Sequence, residues 1–470
     1  MPNMIDAKTD FRPLSLLVGS AFFMEQLDST IIAPAVPQIA HALGVGALSL
    51  DLSMTVYLLC SVIFIPLSGM LAGKWGTRST FQFALLVFVL SSAVCGVAGN
   101  LPTLIAARAV QGFSGALMVP VGRIAIVRTT PRASLVAALA WMITPAMLGP
   151  LFGPPLGGVI ATYASWRWIF WLNIPVGLAG CLLTKRIVPQ IVDEDDTPFN
   201  LREWASLSVA LAALVAMLEM ARHREIPLAV YLALGAAFAL SAAAYVTFAR
   251  RSVRPLLDFT LLRFQTFSTS FWAGSLVRVG YGAVPFLLPL MLQIGLGYSA
   301  VESGAVLLAS GAIAFVTKTQ TSGLLRRFGF RNVLIVNGVL CSGALVACAA
   351  FRADWGITLI AVIVSAGGFS RSVQFNALAA IAYADLPGSK VSPATTLNTA
   401  AQQLAVMLGI SMATVIVGLS AQIGQRAQPG AIDFAHAFAL IGFIAMTSVP
   451  FCLRLSAKAG LELSGQTARR

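Results

Sequence analysis

The chain has 470 residues, of which 58% are hydrophobic and only 10% charged, and its mean hydropathy is +0.84. A soluble protein of this length carries about a quarter charged residues, so this composition leaves too little polar surface to dissolve a globule and excludes one. The net charge of +13 does not argue for nucleic acid, because the cations stand in short loops between apolar runs, not on one basic face.

Taken in chain order, the apolar runs predict an all-α polytopic membrane protein with fourteen spans. Residues 1–13 read as a short N-terminal tail. The run from Leu14 is long and carries Glu25 and Asp28, so it is expected to be a first membrane helix and not a cleavable signal. Spans at 14–38, 52–73, 79–98, 101–127, 134–162 and 168–186 form a first six-helix bundle over 14–187. A linker at 188–202, with the acidic run Asp193, Glu194, Asp195 and Asp196, reads as a solvated connection. Spans at 203–221 and 228–249 make an inserted pair within 203–249, and a basic linker covers 250–266. Spans at 267–294, 303–325, 332–350, 356–383, 395–420 and 435–456 form the second bundle over 267–456, before a tail at 457–470.

Loop charges set the expected orientation. With both termini inside, 21 of the 31 cations fall in inside segments and 5 in outside loops. That bias is the positive-inside pattern, and a missed span would scramble it. The halves also share a faint repeat. Ser68 to Arg78 follows the second span of the first half, and Ser322 to Arg331 follows the second span of the last half. The six cysteines all lie in apolar runs without a CxxC pair, and the three histidines stand far apart, so neither a disulfide frame nor a metal site is expected.

Charges inside spans are expensive in lipid and point to function. The first span holds Glu25 and Asp28, the fourth Arg108 and Arg123, the ninth Arg278, the tenth Lys318 and the twelfth Arg371. Glu219 and Glu302 lie near span ends, where they reach water. Desolvation favours a carboxyl's neutral form and a nearby arginine favours the charged form. An acid poised between the two can take a proton from one side and release it to the other. Asp28, with Glu25 three residues earlier on the same face, is the candidate for this role. Arg108 cannot deprotonate and must find a counter-charge, and Gln111 and Gly112 beside it offer a polar partner and room. Gln111, Arg123, Arg278 and Arg371 are the candidates for a substrate cavity, with Lys318 known only by its helix.

The fifth span carries Gly149, Gly153 and Gly157 at every fourth residue, with Pro150, Pro154, Pro155 and Gly158 among them. The glycines form a flat face for close helix packing and the prolines bend the helix, which suits a hinge between two moving halves. Gly69, Gly73 and Gly76, with Lys74 and Arg78, mark a tight basic turn that either anchors at the interface or latches one conformation. No GxxxxGK[ST], HExxH or GxSxG motif occurs, so ATP drive within the chain and enzyme catalysis are not expected.

In this order, the motifs resemble the major facilitator superfamily, and within it the fourteen-span drug:proton antiporters of the EmrB/QacA type. Leu27 to Pro37 looks like the first-helix signature LDxTIV(N)xALP, and Gly69 to Arg78 like GxLaDrxGrk. Arg108, Gln111 and Gly112 match RxxqG, Gly149 to Gly158 the antiporter motif, and Trp166 to Gly177 WRWIFxxNxPxG. Pro120 to Arg123 and Leu292 to Tyr298 look most like the MdtD branch of bacterial exporters. The resemblance implies a major facilitator fold, coupling through Asp28, proton handling by Arg108, and a hinge at Gly149 to Gly158. Three positions depart from the pattern: Gly73 replaces the loop aspartate, Ala33 an asparagine, and Glu25 adds an acid.

The expected function is therefore proton-coupled export of drugs or amphipathic small molecules by alternating access, in a bacterial inner membrane. The alternatives are a proton-coupled carrier of one metabolite, such as an organic acid or siderophore, and a non-transporting receptor or scaffold, which would need a soluble module. The expected partners are a small-molecule substrate and the lipid bilayer, with a periplasmic adaptor left open. No cofactor beyond the proton gradient, no metal and no nucleic acid is expected, and the chain is expected to act as a monomer.

Overall fold

A computed structural model gives the architecture and describes residues 10–131, 134–192, 199–221, 226–252, 255–387, 390–456 and 459–460. The acidic run Asp193 to Asp196 lies outside the described residues. Every regular element among them is helical, and fourteen helices are long and apolar enough to cross a bilayer. The first bundle is α1 (Arg12–Leu43), α2 (Ala47–Trp75), α3 (Thr77–Val97), α4 (Leu101–Thr129), α5 (Leu135–Tyr163) and α6 (Trp168–Ile187). The inserted pair is α7 (Leu201–Met220) and α8 (Leu228–Arg251). The second bundle is α9 (Gln265–Gly295), α10 (Ala300–Phe328), α11 (Phe330–Cys348), α12 (Ile357–Ile381), α13 (Val391–Ile423) and α14 (Ala431–Leu453).

Backbone groups in lipid must be satisfied within the protein, and the helix starts show how. Asn100 accepts from the backbone of Thr103 at 2.9 Å to cap α4. Ser299 and Glu302 form a reciprocal capping box at the start of α10. Glu302 is thereby a helix cap and not a membrane charge.

The two bundles repeat one pattern. In the first, α1 packs on α5 and α2 on α4; in the second, α9 packs on α13 and α10 on α12. Between bundles, α5 meets α10 and α2 meets α13, as a two-fold relation between related halves requires. The turn repeat is reproduced in the backbone. Gly76 (φ 84°, ψ 157°) and Gly329 (φ 76°, ψ 159°) hold the same left-handed geometry, which side chains disfavour.

The inserted pair docks sideways through α7, which touches α2 and α13. Trp204 donates its indole N–H to the Ile63 carbonyl at 2.7 Å, and buried Glu203 accepts from the Leu256 backbone at 2.6 Å. Helix α8 packs chiefly on α7 and is almost wholly unburied, whereas α9 is largely buried. Its remaining surface is apolar and suited to lipid.

The apolar core is not uniform along the bundle axis. Toward the end opposite the basic loops it is continuous across both bundles, with Ile31, Val36 and Ile39 joined to Leu287, Leu290 and Phe438. Toward the basic end it divides, with Phe81, Phe88 and Val121 in one bundle and Phe330, Leu334 and Ile381 in the other. Hydrogen bonds reinforce the continuous end. Gln293 donates to the Pro34 carbonyl at 2.9 Å, and Thr55 and Ser411 share a contact of 3.4 Å. The bundles are joined at one end and separate at the other.

Candidate functional site

Asp28 lies in the middle of α1 on the face turned into the first bundle, and it is 1% exposed. Its Oδ2 accepts from Arg108 Nη1 on α4 in a direct ion pair. Its Oδ1 accepts from Asn173 Nδ2 on α6 at 2.8 Å and from Gln111 Nε2 on α4 at 3.3 Å. The same Arg108 nitrogen donates to Gln111 Oε1 at 2.8 Å, and Gln111 Nε2 donates to Ser92 Oγ on α3 at 2.7 Å. The guanidinium sits 4.3 Å from the centre of the Tyr57 ring on α2. Five helices thus converge on one carboxylate.

Close approach of backbones makes this convergence sterically feasible. A Cβ on Gly112 would stand 2.2 Å from the Tyr57 carbonyl, so only glycine lets α4 press against α2 there. Glu25, one turn before Asp28, has one carboxyl oxygen buried without a hydrogen-bond partner. Its carboxyl carbon and the Tyr57 hydroxyl, likewise unpartnered, both lie 3.5 Å from the Cβ position of Gly115. Glu25 therefore sits beside the pair without joining it.

A cavity of about 420 Å³ lies on the other side of α1, a volume that suits a drug-sized molecule. Phe22, Gln26 and Thr30, spaced four residues apart on α1, form one wall; α5, α9, α10, α11 and α12 form the rest. Most of the lining is apolar, and Arg371 is the one charged residue in it among the described residues. Helix α1 consequently separates the acid from the cavity, with Asp28 behind it and Gln26 and Thr30 in front.

The sequence and the fold match known proteins along almost the whole chain. The Major Facilitator Superfamily model matches residues 18–410. The chain belongs to the Major Facilitator Superfamily. A Pectobacterium atrosepticum protein named multidrug resistance protein MdtD is 32% identical over 436 residues, covering 92% of this chain and 93% of that one. The Salmonella typhimurium protein of the same name is 33% identical over 407 residues, 86% of each chain. In fold, the chain is similar to a D-xylose-proton symporter (TM-score 0.68, 13% identity, 95% of this chain and 98% of that one). It is also similar to a POT family transporter in complex with 5-aminolevulinic acid (TM-score 0.70, 13% identity, 95% and 96%).

On this major facilitator frame, the residues singled out in the sequence fall into distinct places. Gln111 belongs to the acid network and does not line the cavity. Arg123 is exposed, about four turns from Arg108 toward the basic end, where a long side chain reaches water or headgroups. Arg278 stands behind the cavity wall, donating to the Gly274 carbonyl at 3.2 Å and lying 4.4 Å from the Phe375 ring. Only Arg371 of the four cavity candidates lines the cavity. Lys318 is on α10, and its side chain lies outside the described residues.

The glycine stripe of α5, which the sequence marks for close packing without naming a partner, meets α1. A Cβ on Gly149, Gly153 or Gly157 would meet Gln26, Thr30 or Ile31 of α1, the last at 1.9 Å from a carbonyl oxygen. The stripe therefore fits α5 to α1 inside one bundle. Gly158 instead faces Ala300 of α10, with the oxygen at 2.5 Å from its Cβ position, and a Cβ on Gly304 would meet Pro154 at 2.8 Å. Those residues sit on the seam between bundles, so α5 touches the coupling helix on one face and the other half on another.

Among the described residues, the basic turn binds backbone and not a carboxylate. Arg78 donates to the Val188 carbonyl at 2.6 Å, Thr77 to the Pro189 carbonyl at 2.6 Å, and Gln190 to the Trp75 carbonyl at 2.8 Å. Gly69 and Lys74 are exposed, and Gly76 provides the left-handed turn. With Gly73 in place of an acid, the segment after α6 closes the turn. Asn173 and Tyr57 escaped the sequence reading. Asn173 stands inside a recognised motif, and an amide in an apolar span was the available signal.

Proposed function

We propose that the chain is a proton-driven exporter of drugs or amphipathic small molecules, working by alternating access in a bacterial inner membrane with its basic end and termini in the cytoplasm. The observation that carries this reading is the buried Asp28–Arg108 pair, separated from a drug-sized cavity only by α1. The names of the MdtD relatives support the same direction, and the fold and relatives are those of transporters, not enzymes.

In this mechanism a proton entering Asp28 neutralises the charge that holds Arg108, Asn173 and Gln111. The ion pair then weakens, α1 shifts against the α5 stripe, and its cavity face moves with it. Substrate in the cavity acts on the same helix from the other side. Exchange of the two across the membrane gives antiport, driven by roughly 2.3 kcal/mol per charge per 100 mV in addition to the pH gradient. Joined cores at one end and divided cores at the basic end suit a state open to the cytoplasm. The small-molecule substrate and the lipid bilayer are the only partners this cycle needs.

The test is transport in proteoliposomes under an imposed pH gradient, with a panel of amphipathic compounds. Wild-type protein is expected to move at least one of them against its gradient, and Asp28→Asn to move none. Equal pH-driven transport by Asp28→Asn would sink the coupling assignment.

A further inference from the structure

We propose that the cavity selects amphipathic organic anions, an apolar body bearing a carboxylate, sulfonate or phosphate, through the Arg371 guanidinium. The inference deepens the transport reading by naming the substrate class of the same cavity. Arg371 makes no hydrogen bond or ion pair with any described residue, and the face of the Tyr281 ring lies 6.0 Å away. Arginine stays charged at every working pH, and a cation held at membrane depth needs a counter-charge or water.

No carboxylate on the cavity wall supplies one. Asp28 is committed to Arg108, Asn173 and Gln111 behind α1, and Glu25 lies beside that pair against Gly115 of α4, off the cavity wall. Behind Phe375, which lines the cavity, Arg278 adds a second cation that also lacks a carboxylate among the described residues. The wall shared by α9 and α12 is therefore positive, the walls from α5 and α10 are mostly apolar, and α1 adds the neutral polar groups of Gln26 and Thr30 beside Phe22. A cationic drug meets like charge there. An organic anion completes an ion pair with a fork of N–H donors suited to two oxygens, while its apolar part covers the remaining lining.

The sequence offers a parallel reason. The register that lays Gly76 on Gly329 and Arg78 on Arg331 also lays Glu25 on Arg278 and Asp28 on Tyr281. Where the first bundle places two acids, the second places a cation and a neutral ring.

The experiment is equilibrium binding by calorimetry to the full chain in uncharged detergent, with three ligands of one shape: 4-biphenylcarboxylate, its primary amide and 4-biphenylmethylamine. Wild-type protein is expected to bind the carboxylate roughly ten- to a hundredfold more tightly than the amide, and the ammonium most weakly. Arg371→Gln is expected to bind carboxylate and amide alike, and Arg371→Lys to keep part of the preference. A wild-type protein without preference for the carboxylate, or a preference that survives Arg371→Gln in a variant with unchanged melting, would overturn the proposal. Repeating the titration in phosphatidylcholine nanodiscs with and without phosphatidylglycerol separates the sources of the anion. Competition by the anionic lipid that vanishes in Arg371→Gln assigns the site to a headgroup, and its absence assigns it to a free acid. Because no gradient is involved, failure here leaves proton coupling standing, and failure of Asp28→Asn to abolish transport leaves this preference standing.

Discussion

The two bundles share helix pairings, turn glycines and position in the fold, yet their centres carry opposite electrostatics. In the first, Arg108 is neutralised by Asp28 and the carboxylate is held by amides from two further side chains. In the second, Arg371 and Arg278 face aromatic rings and a backbone carbonyl, with no acid among the described residues bonded to either. Related folds have thus been filled differently, with a closed charge pair on one side and an open positive wall on the other. The difference teaches that a repeat in architecture does not carry a repeat in chemistry, because only a few buried side chains decide the latter.

Asp28→Asn should produce the largest effect on function, a loss of pH-driven transport by about two orders of magnitude or more in proteoliposomes, because the amide cannot carry the proton. Arg371→Gln in the same assay should retain pH sensitivity and lose only anionic substrates. Next in size is stability. Arg108→Ala leaves Asp28 buried without its cation, a change that costs about 3–5 kcal/mol, whereas Arg371→Gln strands no partner and should cost under about 1 kcal/mol. Thermal melting of purified protein in detergent checks this, and equal losses would erase the contrast between the bundles. Gly157→Ala, which pushes a methyl into the Ile31 carbonyl, should lower melting and slow transport together; Gly311→Ala, whose nearest atom is 3.4 Å away on the Leu151 side chain, should do neither strongly.

The smallest expected effect separates the locks at the basic end. The first bundle's turn is tied through neutral carbonyls, whereas the second bundle joins Lys390 to Asp258 at 3.0 Å. Burial pushes the Asp258 carboxyl up, but hydrogen bonds from Thr260 and Lys390 outweigh it and hold it below its ordinary value. Its contribution is therefore present above the ordinary aspartate range of about 3.9 and fades as pH falls through the lowered value. Lys390 is 38% exposed, so solvent screening limits the pair to well under about 1 kcal/mol. Melting curves between neutral and acidic pH should show Asp258→Asn converging on wild type as pH falls. A constant gap would remove Asp258 from the comparison.

Much of this was legible in the sequence, and the part that was not has a physical reason. Hydropathy partitions a chain along one dimension, so the fourteen spans and their bundles followed directly from apolar runs. Charge cost in lipid singled out Asp28 and Arg108, and the pair is in contact. Lateral pairing is another matter. The stripe at Gly149, Gly153 and Gly157 announces a close partner without naming it, and the partner is α1 and not the other bundle. Arg123, Arg278 and Arg371 read alike as intramembrane charges, but depth and helix face put Arg123 at the surface, Arg278 behind a ring and Arg371 in the cavity. Asn173 went unnoticed because an amide carries no charge to mark its cost, although it holds the carboxylate as firmly as Gln111.

Proton-coupled export requires Asp28 to give up a proton when the cavity on the far side of α1 is filled. Adding a cavity ligand to the full chain in weakly buffered detergent, with a pH-sensitive dye, measures that step directly. Wild-type protein is predicted to release protons on binding, and Asp28→Asn to bind the ligand and release none. Equal release from both would contradict the claim that this acid is the coupling site.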